Sequence, residues 1–151
     1  MCTDAEAVTG TDETRYINSK QAKDNYGYTF IPSDTIIYSS DGEVSGEYTD
    51  YTKVKEVTAK ATGTYRIYWE QASYDPNFTF TARCKIYKND VGFGSEQTST
   101  SQLPYYTEKH EDLAFAAGDK IQLYMKINGG SVAIKNFRIK VTIIPNTILP
   151  Y

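Results

Sequence analysis

The chain contains few side chains that could act as nucleophiles, general acids or metal ligands. Its one histidine, His110, lies in the charged stretch 107–112, and no nucleophile elbow is present that would place a serine beside it. The chain also lacks a second histidine for a zinc site. We therefore predict an exposed histidine and a chain with no catalytic residue, no metal site and no cofactor.

Two groups of carboxylates have the side-chain chemistry of a cation site or a glycosidase. Asp41, Glu43 and Glu47 form one group, and Glu111 and Asp112 form the other. Glycosidases use two carboxylates that flank the scissile bond, and Ca²⁺ loops place their oxygen ligands at fixed intervals. Neither group has the spacing of a Ca²⁺ loop, so we interpret both as solvated acids in turns.

The sequence offers more candidate residues for ligand binding than for catalysis. Saccharide recognition uses aromatic rings for stacking and nearby planar polar groups for hydroxyls. This combination occurs in three segments that we expect to be loops. The candidate ligand-binding residues are Tyr74, Asp75, Asn77, Asn89, Phe93, Tyr105 and Tyr106. Trp69 shares a strand face with Tyr65 and Ile67, so we predict that it belongs to the core.

Composition and charge exclude several classes of partner. The 16 basic and 19 acidic residues give a net charge of -3, which offers no positive surface for nucleic acid or an anionic membrane. No apolar run approaches the roughly 20 residues that span a bilayer, so membrane insertion is not expected. The N-terminus lacks the apolar region of a signal peptide. Cys2 and Cys84 are isolated, and a reducing compartment is the simple inference.

Alternating hydrophobicity predicts the strands that carry these loops. On both sides of Gly129 and Gly130, apolar residues take every second position, which is typical of half-buried strands. A Gly-Gly pair tolerates the positive φ of a tight turn, so we predict a hairpin here. The residues expected to face the core are Ile121, Leu123, Met125, Ile127, Val132, Ile134, Phe137, Ile139, Val141 and Ile143. The phase slips by one position after Ile134, and we predict a β-bulge at Lys135-Asn136.

The whole pattern predicts an all-β protein: an antiparallel, jelly-roll-like β-sandwich of about eight strands with a short helical N-terminal appendage. Residues 1–25 are the appendage with two short helices, the first opening on a capping box at Thr3 and Glu6. Residues 26–144 form the sandwich head domain. Residues 145–151 form an apolar tail that should be tied down, either within its own subunit or across a subunit boundary.

A resemblance to a known family lies in the appendage. Residues 5–21 read Ala-Glu-Ala-Val-Thr-Gly-Thr-Asp-Glu-Thr-Arg-Tyr-Ile-Asn-Ser-Lys-Gln. They resemble a short motif of bacteriophage tail fibres, because the glycine, the Thr-Asp pair and the Arg-Tyr-Ile block keep the spacing of that motif. Ser19 stands where the family has a helix-opening proline, and Ala22 stands near the position of a family leucine. Blocks 63–69, 85–89 and 113–124 also resemble jelly-roll heads of the C1q/tumour-necrosis-factor type and of phage receptor-binding proteins.

These resemblances imply the C-terminal region of a non-enzymatic tail fibre or receptor-binding protein. Such a protein would be a homotrimer of the virion, assembled in the host cytoplasm and joined to the remainder of the tail fibre. Its other partner would be a host cell-surface polysaccharide or cell-wall glycan. Two alternatives stay open: a carbohydrate-binding module from a bacterial secreted enzyme, and a purely structural tail cap.

Overall fold

Strands form all the regular structure of the residues described by the computed structural model, which are 28–30, 35–141 and 148–150. This confirms the all-β class. The predicted helical appendage and the motif at residues 5–21 lie outside the described residues. The strands are β1 (Tyr28–Phe30), β2 (Ile36–Ser40), β3 (Val44–Gly46), β4 (Thr52–Thr58), β5 (Gly63–Tyr74), β6 (Ala82–Lys88), β7 (Val91–Gly92), β8 (Gln97–Ser99), β9 (Thr107–Phe115), β10 (Lys120–Lys126), β11 (Ser131–Val141) and β12 (Ile148–Pro150). Nothing in this part of the chain is a helix of the length and apolar character needed to cross a bilayer.

The chain divides into two compact units. In the first, β1 and β12 pair antiparallel, with Thr29 opposite Leu149. The sequence predicts residues 28–30 to be a loop, because a three-residue strand whose partner lies at the other end of the chain leaves no local pattern. The ladder pairs residues 148–150 with β1 of the same chain, which corresponds to the first of the two placements considered for the tail.

The second unit, residues 33–143, is a sandwich of two antiparallel sheets. Sheet I has the order β4-β10-β6, and both β7 and β8 pair with the far side of β6. Sheet II has the order β11-β5-β9, and both β2 and β3 pair with the other side of β11. This arrangement confirms the predicted antiparallel sandwich.

The predicted hairpin around Gly129 and Gly130 is wrong. These glycines have φ of +112° and +64°, as a tight connection requires. However, β10 pairs with β4 and β6 in sheet I, whereas β11 pairs with β2, β3 and β5 in sheet II. The connection therefore passes between the sheets. Alternation shows that both strands bury one face, but it does not distinguish strands that pair side by side from strands that face each other across a core.

The inward faces of the two sheets meet in one core. Trp69 and Cys84 are fully buried in it, as predicted. The largest fully buried side chains are Trp69, Phe115, Phe137, Ile67, Ile86, Ile121, Leu123, Met125, Ile127, Ile134, Ile139 and Gln71. The predicted bulge is present: the pairing of β11 with β5 shifts between Lys135 and Arg138, and Asn136 has φ of +51°. Because of this extra residue, Val132 and Phe137 both point into the core.

Phe137→Ala tests this register. Phe137 is fully buried and meets Tyr38 edge-on, with ring centroids 6.0 Å apart. Because truncation leaves a cavity in a packed core, we expect it to lower the free energy of unfolding by about 3–5 kcal/mol. Lys140→Ala, on the outer face of the same strand, should change it by less than about 0.5 kcal/mol. Chemical denaturation measures both, and a loss under about 1 kcal/mol for Phe137→Ala would show that the strand is out of register.

Candidate functional site

The seven residues predicted to bind ligand lie at two opposite ends of the sandwich. Tyr74 is the last residue of β5, and residues 75–77 follow it. Tyr105 and Tyr106 precede β9, whose first residue pairs with Gln71 near that same end of β5. Residues 89–93 follow β6 at the other end, where Lys88 lies beside Phe115 and Phe115 pairs with the first residue of β5. The structure therefore brings together two of the three predicted loops and separates the third.

Three exposed aromatic rings mark the first end, here called the aromatic end: Tyr74, Phe78 and Tyr105 are 50%, 65% and 77% exposed. The side-chain amide of Gln102 connects the two loops, since its Nε2 donates to the Phe78 carbonyl at 2.9 Å. Asp75 shapes its own loop, because its Oδ1 accepts the N–H groups of Asn77 and Phe78 at 2.8 and 2.9 Å.

Phe78 corrects the predicted strand boundary. The alternation of Phe78, Phe80, Ala82 and Cys84 predicts one strand from residue 78 with Phe78 facing inward. The strand instead begins at Ala82, and Phe78 is exposed. The Asp75 carboxylate holds residues 75–78 in an Asx-type turn, and this local hydrogen bonding competes with strand pairing.

Tyr106 differs from its neighbour Tyr105. Its hydroxyl donates to Oε2 of Glu43. Nζ of Lys135 lies 4.0 Å from its ring centroid and 3.5 Å from Oε2 of Glu70. Burial, reinforced by the Glu43 hydrogen bond, raises the pKa of the Tyr106 hydroxyl. One face of this ring and its hydroxyl are therefore already engaged within the chain.

Asn89 and Phe93, at the other end, connect turns to each other and to the core. The Asn89 side chain donates to Oδ1 of Asp119 at 2.8 Å and accepts the N–H of Lys120 at 2.9 Å. Phe93 packs edge-on against Phe115, with ring centroids 5.5 Å apart. These contacts give both residues a structural role that their loop position in the sequence did not reveal.

A further aromatic group, absent from the sequence prediction, lies on the outer face of sheet I. Tyr51, Tyr87 and Tyr124 form this tyrosine face. The Tyr87 and Tyr124 rings stack with centroids 3.9 Å apart and planes inclined by 20°. The Tyr51 ring lies 6.0 Å from that of Tyr87. The Tyr51 hydroxyl donates to Oε2 of Glu96 at 2.5 Å. Glu96 immediately precedes β8, at the opposite edge of sheet I from β4.

The buried amide of Gln122 organises polar groups beside the tyrosine stack. Its Nε2 donates to Oδ1 of Asp90 at 2.6 Å and to Oε2 of Glu56 at 2.8 Å, and its Oε1 accepts the Asp90 N–H at 2.8 Å. The Gln122 hydrogen bond lowers the pKa of Asp90, and the Lys53 hydrogen bond lowers the pKa of Glu56. The Tyr124 hydroxyl reaches the same Asp90 oxygen at 3.3 Å.

Glu96 forms the second polar group of the tyrosine face. It accepts the Tyr51 hydroxyl, and its oxygens lie 3.4 Å from Nε of Arg83 and 3.9 Å from Nζ of Lys126. The Lys126 ammonium also lies 4.3 Å from the Tyr51 ring centroid, a cation–π distance. Burial, followed by the Glu96 hydrogen bond, raises the pKa of Tyr51. The Tyr51 side chain is thus held on the outer face of sheet I by Glu96 and Lys126.

The arrangement favours binding over acid–base chemistry. A general acid at neutral pH needs a carboxyl group of raised pKa, whereas Asp90 and Glu56 have lowered values. In the described ranges, no three His, Cys, Asp or Glu side chains come together as metal ligands would. The alternation in β6 and β10 predicted that Tyr87 and Tyr124 point outward. No local sequence pattern predicted that the Tyr51 side chain reaches Glu96 at the other edge of the sheet.

The remaining sequence candidates lie on sheet II and its edge. His110 is exposed on β9, as predicted. Asp41 and Asp112 form ion pairs with Arg138 and Arg66 at 2.9 and 2.8 Å. Asp41 lies between β2 and β3, as the interpretation of its group as turn acids requires. Glu111 and Asp112 instead lie within β9, and Oε1 of Glu111 accepts the Ser95 N–H at 2.7 Å, so the interpretation of that group as solvated acids in a turn is wrong.

Comparison with known proteins gives similarity of fold. No protein-family model matches the chain, and no curated protein sequence matches it. The carbohydrate-binding module CBM6cm-2 of Cellvibrio mixtus lichenase 5A, solved with cellotriose, is 15% identical, with 74% of this chain and 92% of that chain covered and a TM-score of 0.45. The CBM22-1 xylan-binding domain of Paenibacillus barcinonensis Xyn10C is 8% identical, with 76% and 100% covered and a TM-score of 0.47.

Rabbit GITRL is also similar, with 21% identity, 64% of this chain and 79% of that chain covered and a TM-score of 0.36. At these identities and TM-scores the similarity concerns the two-sheet architecture alone. One architecture carries many functions, so it does not assign a ligand to this chain.

Asp119 provides a test of the turn network around Asn89. The Asp119 carboxylate accepts hydrogen bonds from Lys88 and the Ala116 N–H at 2.8 and 2.7 Å. With the Asn89 bond, these lower its pKa from 3.8 to about 2. Because the folded-state pKa is depressed, the stabilisation is present above about pH 4 and is lost as the pH falls through about 2.

Asp119→Asn should therefore lower the melting temperature at pH 7, and the difference from the unmodified protein should narrow between pH 4 and pH 2. Asp50→Asn is the matched control, since Asp50 is exposed. Thermal unfolding followed by circular dichroism measures both variants. A difference that stays constant down to pH 2 would show that the Asp119 charge does not stabilise these turns.

Proposed function

We propose that the chain is a non-catalytic saccharide-binding protein and that the tyrosine face is its binding surface. The observation that supports this proposal is the presence of three tyrosines, one amide and three carboxylates on a single sheet face. The residues of this set are Tyr51, Tyr87, Tyr124, Gln122, Glu56, Asp90 and Glu96.

The chemistry of a sugar ring matches such a surface. A pyranose presents an apolar C–H face that stacks on aromatic rings and a rim of hydroxyls that pairs with planar polar groups. The polar groups available to a ligand are the Asp90 and Glu56 carboxylates, whose side chains are 58% and 35% exposed and which the buried Gln122 amide holds by hydrogen bonds. Because they are already ordered, they lose little conformational entropy when a ligand binds.

The aromatic end is the alternative binding surface, and it includes most of the residues predicted from the sequence. Its rings are more exposed than those of the tyrosine face. However, one Asp75 carboxylate oxygen and the Gln102 amide nitrogen already bond to backbone groups. Tyr106 is engaged by Glu43 and Lys135. These groups hold their own loops together, whereas the exposed carboxylates of Asp90 and Glu56 lie on the same face as a stacked pair of rings, which favours the tyrosine face.

We further propose that this binding serves a bacteriophage tail fibre, in which the chain is the C-terminal receptor-binding head. The resemblance of residues 5–21 to the tail-fibre motif supports this proposal, and these residues lie outside the described ranges. The partners would be two further copies of the chain, the remainder of the fibre, and a host cell-surface polysaccharide. A carbohydrate-binding module of a bacterial secreted enzyme is the competing hypothesis.

Paired substitutions distinguish the two surfaces. Screening on immobilised cell-wall fractions and polysaccharides should first identify a ligand. Tyr124→Ala should then weaken binding of that ligand at least about tenfold, about 1.4 kcal/mol, because it removes one ring of the stack and its bond to Asp90. Tyr105→Ala, which removes the most exposed ring of the aromatic end, should change the affinity less than about twofold.

Circular dichroism melting of both variants controls for unfolding. If Tyr105→Ala abolishes binding and Tyr124→Ala does not, the binding surface is the aromatic end. Absence of binding to every saccharide tested would refute the proposed function and favour the purely structural cap.

Oligomeric state separates the tail-fibre proposal from the enzyme-module alternative. A fibre head should form a closed three-fold assembly, because its motif resembles elements of trimeric fibres. We expect light scattering of the full chain at micromolar concentration to give three times the mass of one chain, which is 17.0 kDa. A monomer with residues 1–25 intact would favour the module alternative.

A further inference from the structure

Lys85 lies directly beside the tyrosine stack. It is the cross-strand partner of Tyr124 in the ladder between β10 and β6, and it precedes Tyr87 by two residues, so all three side chains share the outer face of sheet I. Facing partners in an antiparallel ladder have side chains within contact range. A ligand that stacks on these rings would therefore lie within reach of the Lys85 ammonium.

The glycine of β7 gives Lys85 its position. A β-carbon on Gly92 would lie 3.3 Å from both Cε and Nζ of Lys85 and 3.8 Å from Cζ of Tyr87. The ammonium and the Tyr87 phenol thus approach the same point above Gly92. A side chain at position 92 would press on the end of the Lys85 side chain, whereas its distance to Tyr87 is an ordinary contact. The absence of a side chain at this position therefore leaves room for the Lys85 ammonium.

Lys85 also differs in its charge balance from Lys53, Arg83 and Lys126, three other cations of this face. Lys53 lies 2.7 Å from Glu56 and 3.8 Å from Asp90. Arg83 and Lys126 share Glu96 at 3.4 and 3.9 Å. Within the residues that the structure describes, Lys85 has no carboxylate within 4.0 Å. Each carboxylate of the tyrosine face is therefore paired, and a positive charge remains next to the rings.

We propose that Lys85 makes the tyrosine face selective for saccharides that carry an anionic substituent, a carboxylate or a phosphate; this rests on the saccharide-binding function proposed above. The pyranose ring stacks on the tyrosines, and its anionic group accepts a charge-assisted hydrogen bond from the ammonium. The chain has a net charge of -3, so overall attraction does not recruit an anionic polymer. Recognition of the anion depends on this local positive charge.

The experiment compares matched pairs of polysaccharides in affinity electrophoresis and calorimetry. Polygalacturonate is paired with its methyl ester, and a phosphate-bearing mannan is paired with its dephosphorylated form. The unmodified protein should bind the anionic member of at least one pair about tenfold more tightly at low salt. This preference should shrink in 1 M NaCl, where charges are screened within about 3 Å. The two pairs distinguish a carboxylate from a phosphate.

Lys85→Gln should remove the preference while leaving the affinity for the neutral member within about twofold, and Lys85→Arg should retain it. Lys140→Gln, which makes the same charge change on sheet II, should bind as the unmodified protein does. The proposal is overturned if the unmodified protein binds both members of every pair equally, or if Lys85→Gln keeps the preference. Binding without preference would leave the saccharide-binding function intact. Failure to bind any member would overturn the proposed selectivity, and the screen of cell-wall fractions and polysaccharides would then decide the saccharide-binding function separately.

Discussion

The buried side-chain amide of Gln71 joins the two sheets of the sandwich near the aromatic end. Gln71 lies on β5 in sheet II and is fully buried. Its Oε1 accepts the Trp69 indole N–H at 2.8 Å, and its Nε2 donates to the carbonyls of Gln97 and Ala82, at 3.1 and 3.4 Å. Both carbonyls belong to sheet I. A buried amide left without partners costs about 1–3 kcal/mol, so these bonds fix how the sheets face each other.

The placement of β6 connects this buried amide to the outer surface. Once Ala82 is held at Gln71, strand alternation directs Cys84 and Ile86 into the core and Lys85 and Tyr87 outward. In the pairing of β4 with β10, the register shifts between Leu123 and Tyr124, and this shift determines which β4 side chains point outward. It places Lys53 and Glu56, three residues apart, on one face, where they form an ion pair of 2.7 Å. The tyrosine face therefore follows from the packing of the core.

The sequence predicted the fold better than the site, for a physical reason. Periodicity depends on burial, so it identified the strands, the buried Trp69 and the bulge near Asn136. It did not show that β10 and β11 belong to different sheets, because pairing depends on contacts distant in sequence. The candidate site was sought in loops. Tyr87 and Tyr124 were visible as outward residues, but their stacking required the register of two strands that are separated in the chain.

The outer faces of the two sheets differ in how their charged groups lie relative to the aromatic rings, and this difference supports the proposed choice of face. On sheet II, Arg66, Lys135 and Arg138 lie within 4.0 Å of carboxylates, and Lys135 also covers a face of the Tyr106 ring. Exposed ion pairs of this kind add little stability, but they leave few groups free for recognition. On sheet I the carboxylates order one another through Gln122, the rings stack, and the Lys85 ammonium remains available. Sheet I therefore presents the groups that the proposed saccharide ligand requires.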